Sequence, residues 1–331
     1  MRISLLGLVL TGFLLSSQLL RADDVKTVAF TMKSRITPAK GTRKATFTTL
    51  IPCTLPGIQT VRDVKYSPKP SKILRQQGNT YAIFIFESPT KPEEITIEVT
   101  IDILRRDFET VADSNAEAPP LSKQEAKRWL RSETYIESDA QAIREAADQI
   151  EGADRLEEVR RIMQFVTTKL QYGGYSEKQM GAESGLLEGQ GDCTEFADLF
   201  VALCRSKGIP ARNCDGLLAV NVGPNDTSWH KWAEFYLEPY GWIPVDPLKV
   251  ELRQASFGWL PNQYVYFTHL RNDSVLEDYE LQFYRYVGES IEYSGEVTFH
   301  EPHLEAASGE PVEPLGQRGL MKGIEGAAQD H

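Results

Sequence analysis

Three short stretches hold the groups of this chain that could do chemistry: Gly191-Asp-Cys-Thr-Glu-Phe-Ala197, Ser228-Trp-His-Lys-Trp232 and Gly241-Trp-Ile-Pro-Val-Asp-Pro247. In chain order they offer a sulfur nucleophile, an imidazole and a carboxylate. That set suits covalent acyl transfer, in which a thiol attacks a carbonyl carbon, a histidine carries the proton and a carboxylate fixes the imidazole tautomer. Each residue alone has a plainer explanation. A cysteine on an apolar helix face is usually a small buried hydrophobe. A histidine among aromatic residues is usually structural, and Asp-Pro after a strand is usually a turn. The order and the flanking residues together favour the chemical reading.

The elements that must position these groups are legible nearby. Asp192 is a good N-cap and Glu195 falls three residues later, the pattern of a capping box, so a helix is expected to begin at Cys193. Phe196, Leu199, Phe200, Leu203 and Cys204 repeat at helical spacing, and Gly208 and Pro210 end the helix. A cysteine at a helix N-terminus is expected to have a lowered pKa, because the helix dipole favours the thiolate. His230 lies in Trp229–Leu237, an aromatic-rich run that reads as a strand. Glu238-Pro-Tyr-Gly241 is turn chemistry, and Trp242–Val245 reads as the returning strand. A register placing Asp246 opposite Trp232 sets the carboxylate diagonal to His230 on one face, whereas a one-residue slip puts it on the other.

These blocks resemble the transglutaminase-like superfamily of papain-type thiol enzymes: Gly-Asp-Cys193 with Phe196-Ala197, His230-x-Trp232-x-Glu234-Phe-Tyr236, and Gly241-Trp-Ile-Pro-Val-Asp246-Pro247. The resemblance runs from about Ile143 to Leu260. Lys231 departs from it, since a small or apolar residue often follows the histidine. The resemblance implies an α+β, papain-like/transglutaminase-like catalytic domain with Cys193, His230 and Asp246 as its triad. It also implies a thiol acyltransferase acting on protein or peptide amides through a Cys193 thioester. Two alternatives stay open: a peptidase or amidase of the same superfamily with water as acceptor, and a non-catalytic envelope binding protein. Tyr172, Trp229 and Trp232 are candidate substrate-lining residues. Trp229, Trp232 and Trp242 would wall an apolar passage for an amine, which tilts the expectation slightly toward cross-linking. No cofactor or metal is expected.

The 331 residues suffice for two ordinary domains with extra segments. Residues 1–22 read as a signal peptide, with Arg2 ahead of an apolar run and Ala22 at a plausible cleavage point, so a secreted or periplasmic (cell-envelope) location is expected, without stable membrane insertion after cleavage. Residues 25–106 read as a small antiparallel β-sandwich that precedes the catalytic domain. Its strands are expected at Val25–Arg35, Lys44–Leu50, Thr80–Phe86 and Ile95–Leu104. Residues 107–122 read as a linker, 123–300 as the catalytic domain and 301–331 as a disordered tail. Helices are expected at Lys123–Leu130, Ser138–Glu151 and Asp154–Leu170, and Ser176–Gln190 reads as a surface loop. A net charge of −11 argues against nucleic acid as a partner. Of the four cysteines, Cys204 and Cys214 could pair, or both could be buried thiols. His300-x-x-His303 has metal-like spacing but reads as solvated, because no cysteines lie near it.

Overall fold

The computed structural model describes residues 24–108, 118–176, 178–219, 229–277, 279–300, 319–321 and 327–329. The signal segment, residues 109–117 of the linker, His303 and most of the tail lie outside the described residues. Strands β1 (Val25–Pro38), β2 (Thr42–Ile51), β3 (Gln59–Ser67), β4 (Lys72–Gln76), β5 (Asn79–Glu87) and β6 (Glu93–Leu104) come first, and β7 (Arg106–Asp107) follows. Then come α1 (Lys123–Leu130), α2 (Gln141–Asp148), α3 (Arg155–Lys169), β8 (Gln171–Tyr172), α4 (Ala182–Glu188), β9 (Gln190–Gly191) and α5 (Cys193–Ser206). Strands β10 (Ala211–Leu218), β11 (Trp229–Leu237) and β12 (Gly241–Val245), helix α6 (Pro247–Glu251), and strands β13 (Trp259–Leu260) and β14 (Tyr264–Thr268) complete the middle of the chain. Last are β15 (Gln282–Gly288), β16 (Ile291–His300), β17 (Gly319–Met321) and β18 (Ala327–Gln329). The architecture is α+β with antiparallel sheets.

The sandwich has two sheets, ordered β17-β16-β1-β6-β3 and β18-β15-β2-β5-β4. Alternation dictates β6: Ile95, Ile97, Val99, Ile101 and Ile103 are all buried while the residues between them face outward or half outward. Strands β3 and β4, which local composition did not suggest, are edge strands with mostly exposed polar residues. β15 and β16 correct the expected grouping. They lie in the stretch read as catalytic, yet they pair antiparallel with β2 and β1. Phe283, Ile291 and Val297 thereby join the sandwich core. Within the expected disordered tail, Gly319–Met321 and Ala327–Gln329 pair with β16 and β15. His300 is exposed, as expected, and its Nε2 lies 2.8 Å from the Thr31 hydroxyl.

In the second half α5 packs against a sheet ordered β12-β11-β10-β14, α1 touches β10, and α2, α3 and α4 pack on α5. α3 shows why these residues form a helix: Asp154 caps it by accepting from the Glu157 N–H at 2.8 Å, and Val159, Ile162, Met163 and Val166 form its buried stripe. The expected surface loop before the cysteine contains α4, which buries Ala182 and Leu186 against α5. The two halves share polar locks. Gln59, fully buried, donates to the Tyr266 carbonyl at 2.7 Å and accepts the Tyr266 N–H at 2.8 Å. Tyr81 donates to Asp273 at 2.6 Å, and Asn79 donates to Thr268 at 2.9 Å. Buried groups of this kind cost free energy unless paired, so the locks specify one docking of sandwich on sheet. All four cysteines are free thiols, with Cys204 and Cys214 fully buried.

Candidate active site

Cys193 opens α5. Asp192 accepts from the Thr194 N–H at 2.8 Å and from the Glu195 N–H, while Glu195 accepts the Asp192 N–H at 3.0 Å. This reciprocal cap explains Gly191, since a Cβ there would lie 2.4 Å from the Glu195 Cβ. The Phe196 N–H donates to the Asp192 carbonyl at 3.2 Å. The Cys193 N–H is therefore the first-turn amide that the cap does not use. Tyr172 is 44% exposed and pairs across β8 and β9 with Gly191, two residues before Cys193.

The cap also overturns an expectation. Burial, then the adjacent Asp192 carboxylate, pushes the Cys193 thiol well above its ordinary range, although the Lys231 backbone N–H and the Lys231 charge pull the other way. The residue type that best starts the helix places an anion beside the sulfur, and it opposes the dipole that the helix itself supplies. Cys193 is accordingly a thiol that needs a base.

Strands β11 and β12 pair with Ala233 opposite Val245, the register that carries Asp246 to the level of Trp232. His230 Nε2 lies 2.6 Å from Asp246 Oδ2. Asp246 is fully buried and also accepts from the Tyr264 hydroxyl at 2.7 Å and the Lys249 N–H at 3.0 Å. Burial alone would raise its carboxyl. The His230 imidazole, with help from the Lys249 N–H and Tyr264, holds it below the usual carboxylate range instead. An ionised carboxylate only accepts, so Nε2 carries the ring proton and Nδ1 is the nitrogen able to take one from a thiol. Trp232 stacks on the imidazole with centroids 6.2 Å apart and planes 16° from parallel. Gly216 sits opposite His230, where a Cβ would lie 1.9 Å from the Val265 carbonyl oxygen, so only glycine allows β14 this close.

Other expectations are revised. Trp232 is fully buried, edge-on to Tyr264 and Tyr266, and lines no cleft. Trp242 packs edge-on against Trp129 and Tyr236 beneath the Arg212 guanidinium. Trp229 is half-buried, with its ring edge-on to Phe267 of the sandwich core. Tyr264 and the Lys249 amide were not anticipated as partners of Asp246. The amide had a visible signal, because Asp-Pro opening a helix is an N-cap followed by proline at N1. Tyr264 had none beyond its aromatic run.

Cys214, Glu234 and His269 bring donor atoms within 4.8 Å of one another. The Glu234 carboxylate is already held by Arg106 and by Arg212, the latter at 2.6 Å, so this cluster is an ion-pair knot whose two guanidinium groups oppose a cation.

Residues 144–247 match the model of the transglutaminase-like superfamily. This segment is a transglutaminase-like domain. The full chain is similar to a solved structure from Cytophaga hutchinsonii described as a candidate cysteine protease. That likeness has a TM-score of 0.58 and 18% identity, and it covers 89% of this chain and 97% of that one. At such identity the likeness shows the fold alone. The periplasmic domain of TgpA from Pseudomonas aeruginosa is more distant, with a TM-score of 0.38 over 66% of this chain and 72% of that one at 15% identity. An uncharacterized protein of Haemophilus influenzae is 35% identical over 86 residues, 20% of this chain and 23% of that protein, so the match spans under a quarter of that relative's length. Among the described residues, no helix is long and apolar enough to cross a membrane.

Proposed function

We propose that the protein is a thiol enzyme of the cell envelope that cleaves protein or peptide amides through a Cys193 thioester. One observation carries the reading. Asp246 ties up Nε2 of His230 at 2.6 Å, which leaves Nδ1 as the nitrogen that can take a proton from the Cys193 thiol. As an amide carbonyl approaches, the Cys193 sulfur attacks its carbon and the thiol proton passes to Nδ1. The oxyanion is met by the Cys193 N–H. His230 then returns the proton to the departing amine, leaving the thioester. Water attacks next, gives a proton to Nδ1 and releases the acid, and the proton returns to sulfur. Asp246 stays ionised throughout and steadies the imidazolium.

Water is the acceptor that the packing favours. Trp232 and Trp242, two of the three residues that would wall an amine passage, are committed to packing elsewhere. The test supplies a glutamine-containing peptide library with and without a labelled primary amine. Cleavage or deamidation without label is the expected result. Efficient amine incorporation would reassign the protein as a cross-linking acyltransferase. An unchanged library, with Cys193 shown to be reduced, would point to a binding module.

A further inference from the structure

The residue after the histidine departs from the superfamily pattern, and its side chain is one of the most heavily paired groups in the fold. His230 and Trp232 project to one face of β11, with Trp232 in the small cluster beneath the sandwich turn. Ala233 and Phe235 belong to the core on which α5 packs, so Lys231 projects to that helix-facing side. Its ammonium is buried, 3.1 Å from Asp215 on β10 and bonded to Glu280 just ahead of β15. Asp215 is its cross-strand neighbour. One step further, Arg271 donates to Asp198 on α5 at 2.9 Å, with both groups buried. Charges from β10, β11, α5, the β14 exit and the β15 entry thus meet behind the nucleophile. Glu280 belongs to the connection that returns the chain to the sandwich.

We propose that Lys231 is a positioning residue for Cys193: its ammonium, clamped between Asp215 and Glu280, holds this stretch of β11 at the head of α5 and sets the charge felt by the thiol. The inference deepens the catalytic reading of Cys193 and rests on it for its functional meaning. The β11–β12 pairing ends at Ala233 opposite Val245, so Lys231 lies past the stretch paired with β12 and is paired only with Asp215 of β10. The imidazole then approaches from one face of the strand while the ammonium sits on the other. Breaking such a buried pair by removing one partner leaves an uncompensated charge, so the clamp holds its position firmly.

The charged or titratable groups around the thiol are Asp192, Glu195 and Asp198 from α5, His230 and Lys231 from β11, Asp215 from β10, Asp246 at the α6 cap, Arg271 and Glu280. Within this set Lys231 favours the thiolate and Glu280 disfavours it. A tuning role therefore makes opposite demands on the two members of one ion pair, whereas a purely structural role makes the same demand on both.

The experiment measures iodoacetamide alkylation of Cys193 in the full chain, followed by intact mass with site mapping, from about pH 6 to about pH 10. Lys231→Met should slow alkylation at fixed pH by about tenfold and displace the profile to higher pH. Glu280→Gln should speed it by about threefold and displace the profile to lower pH, with Lys231→Arg close to the parent. If Lys231→Met does not fold, the direction of Glu280→Gln still decides. Slowing in both variants in step with a falling Tm, or an unchanged profile in Glu280→Gln, overturns the proposal. Alkylation needs no turnover, so opposite shifts in a protein that leaves every amide intact would uphold the positioning role while sinking the catalytic reading.

Discussion

Asp246→Asn is the sharpest perturbation of the proposed machinery. The carboxylate has no exposure and accepts hydrogen bonds from His230, Tyr264 and the Lys249 N–H. An asparagine carbonyl can keep the Lys249 bond, so the α6 cap should persist. Its amide nitrogen then faces Nε2, which must become an acceptor, and the proton moves to Nδ1. The imidazole can no longer take a proton from sulfur. Comparable tautomer errors in serine triads cost about four orders of magnitude. A thiol is intrinsically more acidic than a serine hydroxyl, so the expected loss in acylation rate is about three orders, or about 4 kcal/mol in the barrier. Loss of the ionised acceptor should lower stability by about 1–3 kcal/mol. The sign of its pH dependence follows from the depressed carboxyl of Asp246. Its stabilisation is fully present above the unfolded value near pH 4 and disappears as pH falls through the lower folded value, so the gap between parent and variant should close in acid. The assay is single-turnover acylation by an activated peptide ester, with iodoacetamide alkylation at alkaline pH as the control that the thiol is intact. Acylation within about threefold of the parent would refute the assigned tautomer. A slow variant whose control reaction had failed equally would report a damaged fold and not a changed tautomer.

Gly191→Ala should destabilise the protein by more than about 2 kcal/mol, read by chemical denaturation, because its Cβ would meet Glu195 in the capping box at 2.4 Å. Arg106→Met removes one of two guanidinium partners of Glu234 and the donor to the Tyr266 hydroxyl at 3.0 Å, and should cost about 3 kcal/mol or more in the same measurement. Burial holds His269 down to about 4, so the unfolded chain binds a proton there that the folded protein refuses between about pH 6.5 and that value. Stability should fall as pH drops through this window, by on the order of 3 kcal/mol from this residue, and His269→Gln should flatten that slope. An unchanged slope would mean that the ring charges within the fold.

The sequence by itself determined what depends on neighbours along the chain. Asp192, Glu195 and the apolar spacing after them are a helix start whatever the rest of the molecule does, and local hydrogen bonding makes them so. The isoleucine alternation from Ile95 to Ile103 likewise dictates a half-buried strand. The hairpin register that joins His230 to Asp246 was legible as one of two options, because only one keeps both side chains on the same face. Tertiary structure alone decided the rest. The partners of β15 and β16, which are β2 and β1, lie more than two hundred residues earlier, and strand composition does not encode a distant partner. The direction in which the Cys193 thiol titrates depends on burial and on summed charges from several elements, which no local pattern contains. The tryptophans near the histidine looked like cleft walls because aromatic residues are versatile; packing sent Trp232 into a core, while Trp242 stays half-buried with its ring edge-on to Trp129 and Tyr236. Lys231 appeared as an oddity beside the histidine, and only the convergence of Asp215 and Glu280 from separate strands gives its buried charge a reason to be there.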